Sequence, residues 1–386
     1  MRVTISVGGR FHAFNLAEQL SRRNYLERLI TSYPKFEVIK YGIPQNKVRS
    51  ILLKEIIERS WRKLPLFLRR AYNPQYAVHE LYDLLALREI GEADIFVGWS
   101  SFALHSLRKA KQRGMVTVLD RGSSHIAYQN KILKEEYDQF GVQPEAFQLP
   151  HPKIIEKEIK EYEEADYIAI SSSFVRRSFL EYGVPEGKLI QVPYGVDLSQ
   201  FRQMPKEDSV FRVVFVGGMT LRKGVHYLLQ AFAELNLPHA ELLLVGTLNE
   251  EMKPFFKKYE GIFKWIGHVP QKELYRYYSQ GSVFVIMSIE EGGAMVQAQA
   301  MACGLPVIFT PNTGGEDFIR DGVDGYMVPI RNVEKLKEKM LYLYEHQDFA
   351  RRMGEKAKER VRSGFTWDDY GKKMIAAYEK ILRETH

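Results

Sequence analysis

Cysteine is nearly missing from this chain of 386 residues: the one present, Cys303, rules out an intrachain disulfide framework and any multi-cysteine metal site, and fits a reducing compartment. Long apolar runs are missing too. No stretch approaches the length that spans a bilayer, and the opening "MRVTISVGGR" enters a strand pattern without a signal-peptide core, so the expectation is a cytoplasmic protein that is neither exported nor integral. Low-complexity tracts and short repeats are lacking, which excludes a solenoid or a largely disordered chain. What remains is ordinary globular material, 45% hydrophobic and 27% charged, in a length that predicts two domains.

The net charge of +7 sits in the first half, where residues 1–205 hold 30 Lys and Arg against 24 Asp and Glu. It is densest in residues 46–72, with Lys47, Arg49, Lys54, Arg59, Arg62, Lys63, Arg69 and Arg70 against Glu55 and Glu58. Read as a helix, this stretch sets Leu52, Leu53, Ile56, Ile57, Trp61 and Leu64 mostly on one side, and Lys47, Lys54, Glu55, Glu58 and Arg62 on the other. Two readings follow: a solvated helix packed on its own domain, or peripheral contact with an anionic membrane surface or a lipid-phosphate acceptor at the inner face of the membrane. Nucleic acid is not expected, because no binding motif accompanies the charge.

Short apolar segments alternate with amphipathic ones, the pattern of parallel sheets covered on both faces, and the alternation occurs twice. The first series holds "VTISV", "FEVIK", "DIFVGW", "VTVLD", "YIAIS" and "LIQVP". The second begins at "FRVVFVGG" and continues through "AELLLVG", "FKWIGH", "SVFVIMS", "LPVIFT" and "GYMVP". Between them, "DLSQFRQMPKEDS" has the composition of a linker. The expected fold class is α/β, with two Rossmann-like parallel-sheet domains facing a central cleft. Residues 1–205 form the first domain, joined by a C-terminal helix at 367–386, and residues 206–366 form the second. The cleft between the carboxyl ends of two such sheets is the preferred place for a nucleotide ligand.

In the second half, "FVGGMTLRKGVHYLLQAF" lays out a strand, a glycine turn at Gly217 and Gly218, the basic pair Arg222 and Lys223, and a helix. Glycine lets a backbone approach closely, Arg offers a planar fork and Lys a mobile charge, so the layout suits phosphate, although an exposed basic turn before a helix reads the same way. Gly292 and Gly293 precede the helix pattern "AMVQAQAMA", which aims free N–H groups and a positive helix end at the same cleft. Together, "VGG…RKG", "EGG…QAMACGLPVI" and "VPYGVDLSQF" resemble the nucleotide-sugar glycosyltransferases of GT-B architecture, specifically the retaining family 4; "EEADYIAISSSFVRRSF" and "YGVPEGKLIQVPYGVD" extend the likeness into the first half.

The resemblance implies roles. Arg222 and Lys223 would neutralise the donor diphosphate in place of a metal, so no metal and no cofactor are expected beyond the nucleotide diphosphate sugar itself. Glu291 corresponds to the first acid of the family's E-x7-E pattern, beside the transferred sugar; Gly292, Gly293, Ala294 and Met295 correspond to the sugar and phosphate cradle. Gln299 replaces the second acid, which takes the ribose hydroxyls. An amide has one accepting oxygen where a carboxylate has two, so a ribose contact survives with altered polarity. Gly218 stands where many members carry Arg, and Arg222 compensates. Base recognition falls to Gly246, Thr247 and the backbone near Ile266.

In the first half, His125 in "TVLDRGSSHIAYQ" is the catalytic candidate near the donor sugar, with Arg121, Ser123 and Ser124 as weaker ones; Gly8, Gly9 and His12 form the acceptor-side loop. The implied activity is retaining transfer of a sugar to a glycan or lipid-linked hydroxyl acceptor, in cell-surface glycan or glycolipid assembly. A GT-B nucleotide-sugar epimerase and a non-catalytic nucleotide-sugar sensor are the alternatives. Cys303 reads as a small buried residue.

Overall fold

The computed structural model describes residues 1–65, 68–69 and 72–385, with the side chains of Arg62 and Thr385 left aside; Arg70 of the basic stretch lies outside the described residues. The first sheet contains β1 (Val3–Val7), β2 (Leu26–Thr31), β3 (Val48–Ser50), β4 (Ile95–Trp99), β5 (Val116–Arg121), β6 (Tyr167–Ile170) and β7 (Leu189–Gln191), in the order 3-2-1-4-5-6-7. The second contains β8 (Phe211–Val216), β9 (Ala240–Val245), β10 (Phe263–Gly267), β11 (Val283–Ile286), β12 (Val307–Phe309) and β13 (Gly325–Met327), in the order 10-9-8-11-12-13. The pairings are parallel, with Val3 opposite Ile95 and Val214 opposite Phe284. Parallel strands covered on both faces read as unbroken apolar runs, and β1, β4, β8 and β11 are buried along their whole length.

Strand order reverses between β1 and β4 in the first sheet and between β8 and β11 in the second. Such switch points open a crevice at the carboxyl ends of the strands. The loops leaving β8 and β11 are the glycine turn and the acidic loop, so the fold brings two stretches about seventy residues apart to one place.

Three sequence expectations change. "FEVIK" is helical, a four-residue turn at Lys35–Val38 running into a 3-10 turn at Ile39–Tyr41, and the strand lies upstream at "LERLIT". Pro34 fixes an extended entry into that turn, and only Val38 of its four residues is buried. Secondly, Ile126–Phe140, assigned by sequence to the first half, buries Ile132, Leu133 and Tyr137 in the second core, and since Trp367–Thr385 buries Tyr370, Met374 and Tyr378 in the first, the two halves exchange helices. Glu136 on that helix is fully buried and accepts from Tyr227 (2.8 Å) and Arg331 (2.7 Å) of the second half.

The third change concerns the helix of the basic stretch, Leu53–Arg62, which packs with its polar side inward. Lys54 is buried between Glu55 and Glu58, 2.8 Å from the latter, with its ammonium 5.5 Å from the Phe102 ring centre. Leu52, Leu53 and Ile56 face outward, Ile56 being 58% exposed.

Candidate functional site

The turn after β8 is held by its own side chains. Thr220 caps the one-turn helix Leu221–Lys223 by accepting from the Lys223 N–H (3.2 Å), and Gly224 follows in a left-handed conformation at φ 64°. A Cβ at Gly224 would stand 2.0 Å from the Met287 carbonyl oxygen, so only glycine lets this turn press against the exit of β11. The Gly246–Thr247 turn after β9 closes on it from the side, with the Met219 N–H donating to the Thr247 carbonyl (2.8 Å).

The acidic loop is braced from behind by residues 310–313. Thr310 Oγ1 donates to the Ser288 carbonyl and Asn312 Nδ2 to the Ile289 carbonyl, both at 2.7 Å; the N–H groups of Glu291 and Ala294 donate to the carbonyls of Asn312 and Thr313, both at 3.0 Å. The Ala294 N–H therefore serves the loop and not a phosphate cradle. Lys223 pairs with Glu291, and Arg222 Nη2 lies 2.7 Å from the carboxylate of Glu290, which has no exposed surface. Each cation of the basic pair thus faces a carboxylate.

The first half meets this loop directly. A Cβ at Gly292 would fall 1.7 Å from the Gly122 carbonyl oxygen, Ser172 Oγ donates to the Gly292 carbonyl (2.6 Å), and Ser123 Oγ accepts from Arg222 (3.3 Å). His12 Nε2 lies 3.0 Å from Asp120, and its ring is 4.2 Å from Tyr194 and 5.0 Å from Trp99, centre to centre. Gly9 accepts from Thr31 Oγ1 (2.8 Å), while a Cβ at Gly8 would overlap the Phe102 ring. A cavity of about 820 Å³ between the halves is bounded by Arg10, Phe11, Lys272, Met295, Gln299 and Trp367.

Residues 198–360 match the family described as glycosyl transferases group 1. The match lies within the second half of the chain and covers less than half of its length. An uncharacterized glycosyltransferase of Methanocaldococcus jannaschii is 24% identical over 57% of this chain and 59% of its own length, so the chain spans about three fifths of that relative. Among solved structures, sucrose-phosphate synthase from Thermosynechococcus elongatus superposes with a TM-score of 0.73 at 18% identity, covering all of both chains. HepE from Anabaena, in complex with UDP and glucose, reaches 0.72 at 13% identity over 98% of this chain and all of its own. The architecture is therefore GT-B, two Rossmann-like domains across a cleft.

Within the second half, Arg222 and Lys223 meet Glu290 and Glu291, Gly217 and Gly218 adjoin Gly246 and Thr247, Gly292 and Gly293 stand against Gly122, Ser171 and Tyr194 of the first half, and Ile266 is half-buried against the core. Gln299 lies farther along the Met295–Ala302 helix, and its carbonyl already accepts from the buried Tyr278 hydroxyl (3.2 Å), so its NH2 is the end left for a ligand. His125 is not brought to the cleft. Its Nδ1 caps the Ile126–Phe140 helix by accepting from Ala127 N–H (3.3 Å), and its ring stacks on Tyr182 at 4.5 Å. Burial, with Arg121 adding, lowers its pKa to about 4. Burial likewise pushes the Cys303 thiol up to about 12, as befits an inert packed side chain.

Sequence reasoning missed Glu290, Asp120, Tyr278 and Trp265, which is 45% exposed with its indole N–H on the Gly246 carbonyl (2.8 Å). Asp120 had a readable signal, since it ends "VTVLD" at the carboxyl edge of β5. Glu290 had none, because it and Glu291 are neighbours of one type.

Proposed function

We propose that this chain is a retaining glycosyltransferase that moves a sugar from a nucleoside diphosphate sugar to a hydroxyl acceptor, using Arg222 and Lys223 in place of a metal. The observation that carries the reading is the meeting of the basic turn and the acidic loop at the switch point of the second sheet, with Met295 and Gln299 of the helix that follows the loop lining a cavity whose volume suits a nucleotide sugar. HepE, which holds UDP and glucose in the same fold, supports it. The donor diphosphate competes with Glu291 for Lys223 and engages the outer side of Arg222. Gln299 donates its NH2 to a ribose hydroxyl, and Trp265 offers an aromatic face near the base.

The bond between the anomeric carbon and the diphosphate oxygen breaks, and the acceptor oxygen bonds to that carbon on the same face. The departing phosphate takes the acceptor's proton, so no separate carboxylate base is required. Arg222 and Lys223 stabilise the charge that develops on the leaving oxygen. The acceptor approaches from the first domain, beside His12 and Asp120, and the outward apolar face of Leu53–Arg62, with Arg49, Arg59 and Lys63 around it, supports a lipid-linked acceptor at an anionic membrane surface in glycan or glycolipid assembly.

The test is a thermal-shift screen against UDP-glucose, UDP-N-acetylglucosamine and GDP-mannose with product analysis. A bound donor at a hundred times its Kd adds about 2.7 kcal/mol of stability. Free nucleoside diphosphate indicates transfer or slow hydrolysis. A new nucleotide sugar indicates an epimerase, and stabilisation without turnover indicates a sensor; either outcome replaces the proposal.

A further inference from the structure

Glu290 is the one carboxylate of the acidic loop with no exposed surface, and four donors converge on it. Three come from the first half of the chain: the Ser124 N–H (3.0 Å), the Ser124 hydroxyl (2.7 Å) and Gln129 Nε2 (2.9 Å). The fourth is Arg222 Nη2 at 2.7 Å. Gln129 is fixed in turn by Arg121, whose Nη2 donates to its amide oxygen (2.8 Å), whose Nε donates to the Ser124 carbonyl (3.1 Å), and which pairs with the buried Glu158 (3.0 Å). A continuous line, buried from Glu158 through Arg121 and Gln129 to Glu290, thus crosses from the first sheet to Arg222 in the basic turn of the second.

Arg222 is gripped by Glu290 twice, through the carboxylate and through the main-chain carbonyl, which accepts from Nε (2.9 Å). Two contacts to one residue set the plane of the guanidinium, while about a third of the side chain stays exposed for a ligand. Burial alone would raise the Glu290 pKa, yet Arg222, Ser124 and Gln129 hold it below the ordinary carboxylate value, which keeps the charge that Arg222 answers.

We propose that Glu290 is a positioning residue: docking of the Ser124–Gln129 segment fixes its carboxylate, and the carboxylate in turn aims Arg222 at the donor phosphate, so that contact between the domains and the grip on phosphate form together. This rests on the glycosyltransferase reading above.

The experiment compares Glu290→Gln, Arg222→Gln and the double variant, with whichever of UDP-glucose, UDP-N-acetylglucosamine and GDP-mannose the wild type turns over. Glu290→Gln preserves shape and an accepting oxygen for Ser124 while removing the charge. The expected result is a fall in kcat of at least tenfold in each single variant, a donor KM within about threefold of wild type for Glu290→Gln, and a double variant no slower than the slower single one. Effects that multiply in the double variant would overturn the inference, as would wild-type kcat in Glu290→Gln. A lowered melting temperature with unchanged kcat per folded molecule would reduce Glu290 to interface packing and overturn it equally. If the wild type binds and turns over none of the three donors, the glycosyltransferase reading itself fails; if it does and the two residues act independently, only this inference does.

Discussion

Gln299 and Tyr278 form a buried pair whose removal separates structure from function. Gln299→Leu deprives the Tyr278 hydroxyl of its acceptor, and a buried donor left unpaired costs about 1–3 kcal/mol. Adding Tyr278→Phe removes the stranded hydroxyl, so the double variant should regain most of that loss in chemical denaturation while donor affinity stays low. Recovery of both, or of neither, contradicts the pairing. His125 gives a pH test. Its native pKa near 4 lies below the ordinary 6.5, so the unfolded chain binds a proton that the native state refuses; stability is full above pH 6.5 and is lost as pH falls toward 4. Against His125→Asn, which retains a capping group without titrating, the wild type should lose roughly 2 kcal/mol more unfolding free energy between pH 7.5 and pH 5. Parallel curves would show that His125 is not held neutral. The glycines and basic residues of the turn were legible because their motif is contiguous; the direction of the His125 ring was not, because its stacking partner Tyr182 comes from a distant segment.

The helix Leu53–Arg62 shows how far periodicity reaches. Spacing of apolar residues tells which side chains share a face, and that division was readable. Which face turns inward depends on what the domain offers, and here it offers a buried place for Lys54 beside Phe102, paired with the half-buried Glu58, leaving Leu52, Leu53 and Ile56 outside. On the membrane reading proposed above, this exposed apolar face lies against an anionic bilayer surface. Leu53→Asp with Ile56→Asp should abolish co-sedimentation with vesicles containing phosphatidylglycerol and change stability by no more than about 0.5 kcal/mol per site, as for exposed positions generally. Equal vesicle binding by variant and wild type would remove the membrane from the account. The same dependence on context hid "LERLIT", a charged strand, and promoted "FEVIK", whose alternation belongs to a short helical turn.

At the scale of the whole molecule, the two domains hold each other through exchanged helices and through close backbone approaches, Gly292 against Gly122 and Val196 against Phe365. The second domain was the more legible because its ligand-facing loops lie in compact motifs; the contacts between domains, Glu290 with Ser124 and Gln129 above all, join residues about 160 positions apart and leave no local pattern. On the function proposed above, Lys223 and Arg222, and no metal, carry the charge of a nucleoside diphosphate leaving group. Release of nucleoside diphosphate from the accepted nucleotide sugar, followed in excess EDTA for the wild type and for Lys223→Ala, tests it most directly. Undiminished release by the wild type in EDTA is expected, with a loss of at least tenfold in Lys223→Ala, since a charge-assisted contact is worth about 1.5–3 kcal/mol. Release that stops in EDTA and returns with Mg2+ or Mn2+, or that proceeds at the wild-type rate without Lys223, would contradict it.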